Sequence, residues 1–408
     1  MEFDVNLIRQ QFPILSEATV HGKPLVYFDN AATTQKPQSV IDAISHYYRT
    51  ENANVHRGVH DLSQRATQNF ENTRNELARY LGNIDPKTII FTKGTTESIN
   101  LVAHSYPMAF LKPGDSILIT EMEHHANIVP WQMACERHGL NLKVLPINEK
   151  GEWDLDFLPK LLDENVKFIA CSWVSNALGT INPIQTMIDA ARKIGAKILV
   201  DGAQAVGHFK VDLKSLDADF FVFSAHKMFG PTGLGFLVGK EELLQQMPPY
   251  QTGGEMIQEV TFEKTTFNGL PFKFETGTPA IAEVIAFQKS LQFLNTISLD
   301  KAHQHESLLL KRATDGLNEI PEIVFFGTSD QKVSVLSFNL NGVHPFDIGT
   351  ILDQRGIAIR TGHHCTQPIM QKFKVPGMCR ASFSLYNTIE EVDFFIESVR
   401  KAAKMLCS

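Results

Sequence analysis

The sequence predicts an α/β protein, with a large domain on a mainly parallel sheet covered by helices and a smaller α+β domain. Three observations carry this reading. From about residue 25 to 240, apolar runs of strand length alternate with helix-like stretches, the pattern of parallel strands joined by helical crossovers. A length of 408 residues accommodates one large domain plus a smaller one. Beyond about residue 295 the pattern changes to period-two and long helical segments. The expected division is 22–295 for the large domain, with 1–21 and 296–408 forming the small one.

The strand candidates, in order, are Ile89–Thr92, Ser116–Thr120, Leu142–Leu145, Phe168–Cys171, Ile198–Val200, Phe220–Phe223 and Gly235–Val238. Their near-continuous apolar character fits strands buried on both faces. Helices lie between several of them, for example from Pro183 to Ile194. Val333 to Leu340 alternates apolar and polar residues, which predicts a half-exposed strand. The last element starts at Asn387-Thr388 with Glu391 as a capping box. It carries Val392, Phe395, Ile396, Val399 and Ala403 at helical spacing, with Lys401 and Lys404 near its negative end. Met1 to Leu15 reads as a short amphipathic helix without the basic start or apolar core of a secretory signal.

Composition narrows the function. Hydrophobic content of 43% and charged content of 20% are ordinary for a globular protein. A net charge of -7 and a pI near 6.1 argue against nucleic acid or an anionic membrane as partner. No apolar run is long enough to cross a bilayer. The five cysteines are odd in number and irregularly spaced, which points to a reducing cytoplasm rather than a disulfide framework.

Lys227 carries the most chemical information. It lies just past Phe220–Phe223, in Ser224-Ala225-His226-Lys227, ahead of the turn Gly230-Pro231-Thr232-Gly233. A lysine there sits at the mouth of a sheet, although a solvated surface lysine fits this segment equally well. Asp201 ends the run Ile198-Leu199-Val200. A lysine and a carboxylate at two strand ends can hold the two ends of one pyridine cofactor. The lysine forms an imine with the aldehyde of pyridoxal phosphate, and the aspartate keeps the ring nitrogen protonated.

Other segments have two readings each. Gly94-Thr95-Thr96 follows Ile89–Thr92 and opens an apolar-periodic stretch, so its amides offer a phosphate site; a plain N-cap looks the same. There is no Walker-type loop and no Gly-x-Gly-x-x-Gly after the first strand, which leaves nucleotide binding little support. His124, beyond Ser116–Thr120, can stack on a flat ring and carry a proton near neutral pH, or be a hydrogen-bonded loop residue. Asn176 can contact ring or substrate, or shape a turn. Arg360-Thr361-Gly362-His363-His364-Cys365 surrounds a thiol with positive charge, which favours the thiolate. A metal site is the rival there, but no second Cys/His pair sits at zinc-ligand spacing. Arg380 suits a bidentate grip on a substrate carboxylate, with a surface salt bridge as the alternative. Cys379 beside it reads equally as a packed cysteine.

Together, Ser224-Ala225-His226-Lys227, Asp201-Gly202-Ala203-Gln204, Glu123-His124-His125-Ala126-Asn127 and Arg360-Thr361-Gly362-His363-His364-Cys365 resemble the class V aminotransferase-fold cysteine desulfurases. The chain is specifically similar to the SufS-type (group II) enzymes, which also act as selenocysteine lyases. The resemblance runs from Phe28-Asp29-Asn30-Ala31-Ala32 and Asn54-Val55-His56-Arg57-Gly58 to Arg380-Ala381-Ser382 and Tyr386-Asn387-Thr388.

The resemblance implies a fold-type I pyridoxal 5'-phosphate enzyme working as a homodimer. Lys227 is then the Schiff-base lysine, Asp201 the partner of the ring nitrogen, His124 the stacking group, and Gln204 the contact of the phenolic oxygen. Thr95, Thr96, Ser224 and His226 hold the phosphate, with Thr278 of Glu275-Thr276-Gly277-Thr278-Pro279 reaching in from the other subunit. Asn176 and Arg380 bind L-cysteine, Arg380 through the carboxylate, while Arg360 and His56 line the pocket. Cys365 accepts the sulfur as a persulfide, leaving L-alanine. The short segment between Arg360 and Arg380 keeps Cys365 near the cofactor. It implies a dedicated SufE- or SufU-like acceptor, with a SufBCD-type scaffold downstream for iron-sulfur cluster assembly. No metal is implied. The rival readings are a dedicated selenocysteine lyase, a kynureninase-like enzyme, which needs no acceptor thiol, and a sulfur-relay scaffold without catalysis.

Overall fold

The structure, a computed structural model, describes residues 3–407. Met1 and Glu2, part of the expected N-terminal helix, and Ser408 lie outside the described residues. All seven apolar runs form strands of one sheet. They are β1 (Ile89–Thr92), β2 (Ser116–Thr120), β3 (Asn141–Leu145), β4 (Val166–Ser172), β5 (Lys197–Asp201), β6 (Phe220–Ser224) and β7 (Gly235–Gly239). Their spatial order is β1-β7-β6-β5-β4-β2-β3. The neighbours from β3 to β6 pair in parallel, and β7 runs antiparallel to both β6 and β1.

The continuous apolar runs are explained by cover on both faces. Alternate side chains of one strand enter different cores. Phe221 and Phe223 pack with Ile198, Val200 and Phe70 of helix Asp61–Tyr80. Phe220 and Val222 pack instead with Leu199, Trp131 and Tyr106, the last on helix Thr95–Phe110. The crossover helix expected from Pro183 spans Ile184–Ile194 and stops at Gly195, whose φ of 72° makes a left-handed C-cap.

After helix Ile281–Thr296 comes a four-stranded antiparallel sheet of β8 (Ile323–Phe326), β9 (Val335–Leu340), β10 (Arg360–Gly362) and β11 (Met378–Ser382), in the order β8-β9-β11-β10. Helices Leu299–Leu317 and Ile389–Leu406 pack on one face, through Leu309, Leu317, Phe395 and Val399 against Leu336 and Phe338. The capping box forms as expected: Glu391 N donates to Thr388 Oγ1 at 3.3 Å and Thr388 N donates to Glu391 Oε2 at 3.1 Å.

One expectation fails here. β9 is buried at every position, not half-exposed. Its polar residues face protein rather than water. Ser337 Oγ donates to Ala177 O at 2.5 Å; Asn339 donates to Gly377 O at 2.9 Å and accepts from Cys379 N at 3.2 Å. A satisfied buried polar side chain leaves the same period-two trace as an exposed one.

The N-terminal helix is also corrected. Two pieces replace it, Val5–Arg9, capped by Asp4, and Ile14–Glu17, preceded by Pro13. Phe12, between them, packs on Tyr386, Phe293 and Phe229 at centroid distances of 4.6, 5.4 and 5.9 Å. Arg9 pairs with Glu391 at 2.7 Å. Residues Val26–Tyr27 then pair in parallel with Ile357–Ala358. Among the described residues no helix is long and apolar enough to cross a membrane.

The carboxyl ends of β2, β4, β5 and β6 meet the start of helix Thr95–Phe110, the edge where open α/β sheets bind ligands. The burial of β9 has a measurable consequence. Asn339→Leu strips partners from the Cys379 amide and the Gly377 carbonyl, and is expected to cost about 1–3 kcal/mol, read as a lower urea midpoint.

Candidate active site

β6 ends at Ser224, and one tight turn, Ala225–Lys227, points Lys227 into a cleft of about 180 Å³. Asp201 is the last residue of the adjacent strand β5 and lines the same cleft. Two glycines allow this close packing. A Cβ on Gly202 would lie 2.0 Å from the Phe221 ring, and one on Gly207 would lie 2.7 Å from Lys227 O. Asp201 Oδ1 accepts from Ala203 N at 2.9 Å. Burial raises the Asp201 carboxyl above its ordinary pKa, opposed by that hydrogen bond and by Lys227. Burial lowers the Lys227 amine to about 8; Arg380 and Arg360 push the same way, while Asp201 opposes them.

At one end of the cleft, Gly94 gives helix Thr95–Phe110 no capping side chain. Ser224 supplies it from β6, accepting from Thr95 N at 2.8 Å with Thr95 Oγ1 2.7 Å away. Thr96 and His226 line this end as well. A helix N-terminus ringed by hydroxyls and a histidine is a site for a phosphate. Burial, with Lys227 and Lys36 nearby, holds His226 down to about 4.

His124 and Gln204 also line the cleft. Gln204 donates to Ala31 O at 2.7 Å. The expectation that His124 titrates near neutral pH is not met. Burial first, then Lys227, lower it to about 3, so its ring is neutral. Its Nδ1 accepts from Ala126 N at 3.0 Å, which assigns the proton to Nε2. Behind it sits Glu123, a residue that sequence reasoning passed over. Its side chain is buried (0% exposed), accepting from Thr120 Oγ1 at 2.5 Å, Asn127 Nδ2 at 2.7 Å and Ser172 N at 3.0 Å. Burial raises it to about 7, with Asp201 adding to the effect. The available signal was an acidic residue one position before His124, at the end of an apolar strand.

The third wall comes from the C-terminal sheet. Arg380, in the middle of β11, is 1% exposed, which removes the surface salt-bridge reading. It pairs with Asp29 at 2.9 Å and donates to Asn176 O at 2.8 Å; its Nε is buried without a partner. Asn176 Nδ2 donates in turn to His364 O at 2.8 Å, and His125 N donates to Cys365 O at 2.7 Å. These two bonds fasten the cysteine loop across the cleft. His364 and Cys365 both adopt left-handed backbone, φ 51° and 57°, a strained pair for residues with side chains. Cys365 is half-buried, with Arg360 Nη2 3.9 Å from its sulfur.

Two assigned residues stay outside the cleft of this chain. His56 bonds Glu71 at 3.0 Å between Phe70 and Phe272. Thr278 is exposed in a separate groove with Tyr250 and Glu97. Cys379 is a packed cysteine, buried with its thiol donating to Pro345 O at 3.4 Å. Among the described residues no three His, Cys, Asp or Glu side chains gather as metal ligands.

The sequence matches the Aminotransferase class-V family over residues 26–395. It is 47% identical over 407 residues to a cysteine desulfurase of Serratia proteamaculans, covering 100% of both chains. It is 47% identical over 402 residues to a probable cysteine desulfurase of Mycolicibacterium paratuberculosis, covering 98% of this chain and 58% of that protein. The fold superposes on the crystal structure of the cysteine desulfurase CsdA from Escherichia coli with a TM-score of 0.92 at 39% identity, covering 100% of each chain. With a family match across most of its length and full-length relatives at this identity, the chain belongs to the class-V aminotransferase family, in its cysteine desulfurase branch.

Proposed function

We propose that the protein is a pyridoxal-phosphate-dependent cysteine desulfurase of the SufS type, converting L-cysteine to L-alanine and a persulfide on Cys365. The observation that carries this is Lys227 and Asp201 at adjacent strand ends in one cleft, with the Cys365 loop fastened over it. The residues present fit the cofactor. The second oxygen of buried Asp201 has no protein donor among the described residues, which suits a ring nitrogen that carries a proton. The helix start at Thr95-Thr96, with Ser224 and His226, suits the phosphate. Bound there, the cofactor supplies an amine-reactive aldehyde and an electron-accepting ring.

The chain's own groups divide the remaining work. With the cofactor bound, Asp201 would keep the ring nitrogen protonated, and the neutral His124 ring would serve as the stacking group. Gln204 would contact the phenolic oxygen. Lys227, lowered to about 8, reaches its free-amine form near neutral pH and moves the proton on Cα. Arg380 binds the substrate carboxylate through the edge that Asp29 and Asn176 leave free. The Cys365 thiolate attacks the substrate sulfur. The new sulfur-sulfur bond forms as the bond from Cβ breaks, and carbon keeps the electron pair and is protonated to alanine. Selenium in place of sulfur follows the same course. The protein works as a homodimer in which Thr278 completes the partner subunit's cleft, and a SufE- or SufU-like protein removes the persulfide sulfur for iron-sulfur cluster assembly on a SufBCD-type scaffold.

The deciding experiment mixes yellow protein with L-cysteine and a reductant and quantifies sulfide and alanine. Equal amounts are expected from the wild type. Cys365→Ala is expected to stay yellow and release no sulfide, and Lys227→Ala to lose all turnover. Full desulfurase activity in Cys365→Ala would falsify the persulfide role. Activity confined to selenocysteine would assign a dedicated lyase.

A second prediction concerns pH. Only the neutral amine of Lys227 reacts with an aldehyde, so colour on adding pyridoxal phosphate to cofactor-free protein develops faster as pH rises through about 8. Arg360→Ala removes a cation that disfavours the ammonium, so the inflection moves to higher pH. Stopped-flow absorbance against pH reads both.

A further inference from the structure

The peptide between His226 and Lys227 is held by more groups than its turn requires. Four donors from one short segment surround the His226 carbonyl oxygen. Thr34 N and Lys36 Nζ lie at 3.0 Å, Thr34 Oγ1 at 3.1 Å and Thr33 Oγ1 at 3.2 Å. A carbonyl oxygen has two lone pairs, so its position is over-determined. Lys36 Nζ also donates to Thr34 O at 2.5 Å, and Thr34 Oγ1 accepts from Phe229 N at 2.9 Å. The segment thus grips both flanks of Lys227, and Gly207 lies so close to the Lys227 carbonyl that a Cβ would meet it at 2.7 Å.

Lys36 is the costly member of this arrangement. Among the described residues its partners are neutral oxygens, with no carboxylate among them. Burial pushes its ammonium down to about 7. A half-buried cation without a counter-ion weakens a fold, and a methylene chain of the same length ending in an apolar group fills the space at lower cost. Groups kept against stability concentrate at functional sites.

We propose that Lys36 is a positioning residue for Lys227, its Nζ pinning the His226–Lys227 peptide so that the Lys227 amine leaves and returns along a fixed path. The proposal rests on the reading of Lys227 as the cofactor lysine. Nζ carries N–H donors whether protonated or neutral, so it holds the His226 carbonyl while the Lys227 side chain changes partners. Small misplacements of a reacting group cost up to about 100-fold in rate.

The test compares holoenzyme of wild type, Lys36→Met and Lys36→Arg. It measures bound cofactor by colour, thermal midpoint, kcat and KM for L-cysteine, and the rate at which colour returns after a limiting dose of cysteine. Lys36→Met is expected to hold a full complement of cofactor and keep or raise its thermal midpoint. Its kcat and colour-return rate should both fall by about 10- to 100-fold with KM unchanged. Lys36→Arg, which keeps an N–H donor at the end of a long side chain, should recover part of both rates. Wild-type rates in Lys36→Met overturn the proposal. So does a loss of rate that tracks lost cofactor and a lower midpoint, which marks a merely structural role. If the wild type itself neither turns yellow nor makes alanine, the cofactor reading falls first and this inference with it.

Discussion

The cleft is organised around one buried cation. The guanidinium of Arg380 lies inside the protein, where removing its water is expensive, and its carboxylate partner is Asp29. Asp29 comes from the segment that runs alongside Ile357–Ala358, the Asn176 carbonyl from the loop after β4, and Arg380 itself from β11. These three pieces are far apart in sequence, and the guanidinium gains its carboxylate and its carbonyl partner only when all are in place. Its field then sets the other groups: it helps lower Lys227 and, second to burial, helps hold His364 down to about 2. A cleft with this much fixed positive charge at one wall and a helix start at the other is prepared for a dianionic, carboxylate-bearing pair of ligands.

The large sheet was legible because its strands are covered on both faces, so that Phe220–Phe223 or Ile198–Val200 need no polar position. The same logic hid β9. Ser337 and Asn339 are polar because they bond Ala177, Gly377 and Cys379, and period alone does not distinguish a hydrogen-bonded interior from water. Lys227 and Asp201 stood out as charged groups at or beyond apolar runs, and Arg380 as a residue suited to grip a carboxylate. Asp29 did not, since nothing near it in sequence reports a partner 351 residues away. The protonation of His124 was not readable either. Its type promises titration near neutrality, but burial beside Lys227 decides otherwise.

Strain and support are paired at the cysteine. Two successive left-handed residues, His364 and Cys365, are an unfavourable backbone choice, and two hydrogen bonds from different strand ends, Asn176 to His364 O and His125 N to Cys365 O, hold it. The thiol is therefore presented by a loop whose shape depends on the sheet beneath it. Two cations bear on the sulfur: Arg360, 3.9 Å away, and Lys227, whose ammonium Cys365 favours.

Phe12 and Arg9 tie the start of the chain to its far end, through Tyr386 and Glu391. A ribosome delivers these partners hundreds of residues apart, so the aromatic pocket that also holds Phe229, two positions from Lys227, stays open until the C-terminal sheet has been made. Folding of the lysine's surroundings is thereby coupled to completion of synthesis. A nascent chain stalled before Tyr386 carries the whole large sheet yet exposes the apolar ring cluster beside the site, which makes such a fragment a natural client for chaperones rather than a partly working enzyme.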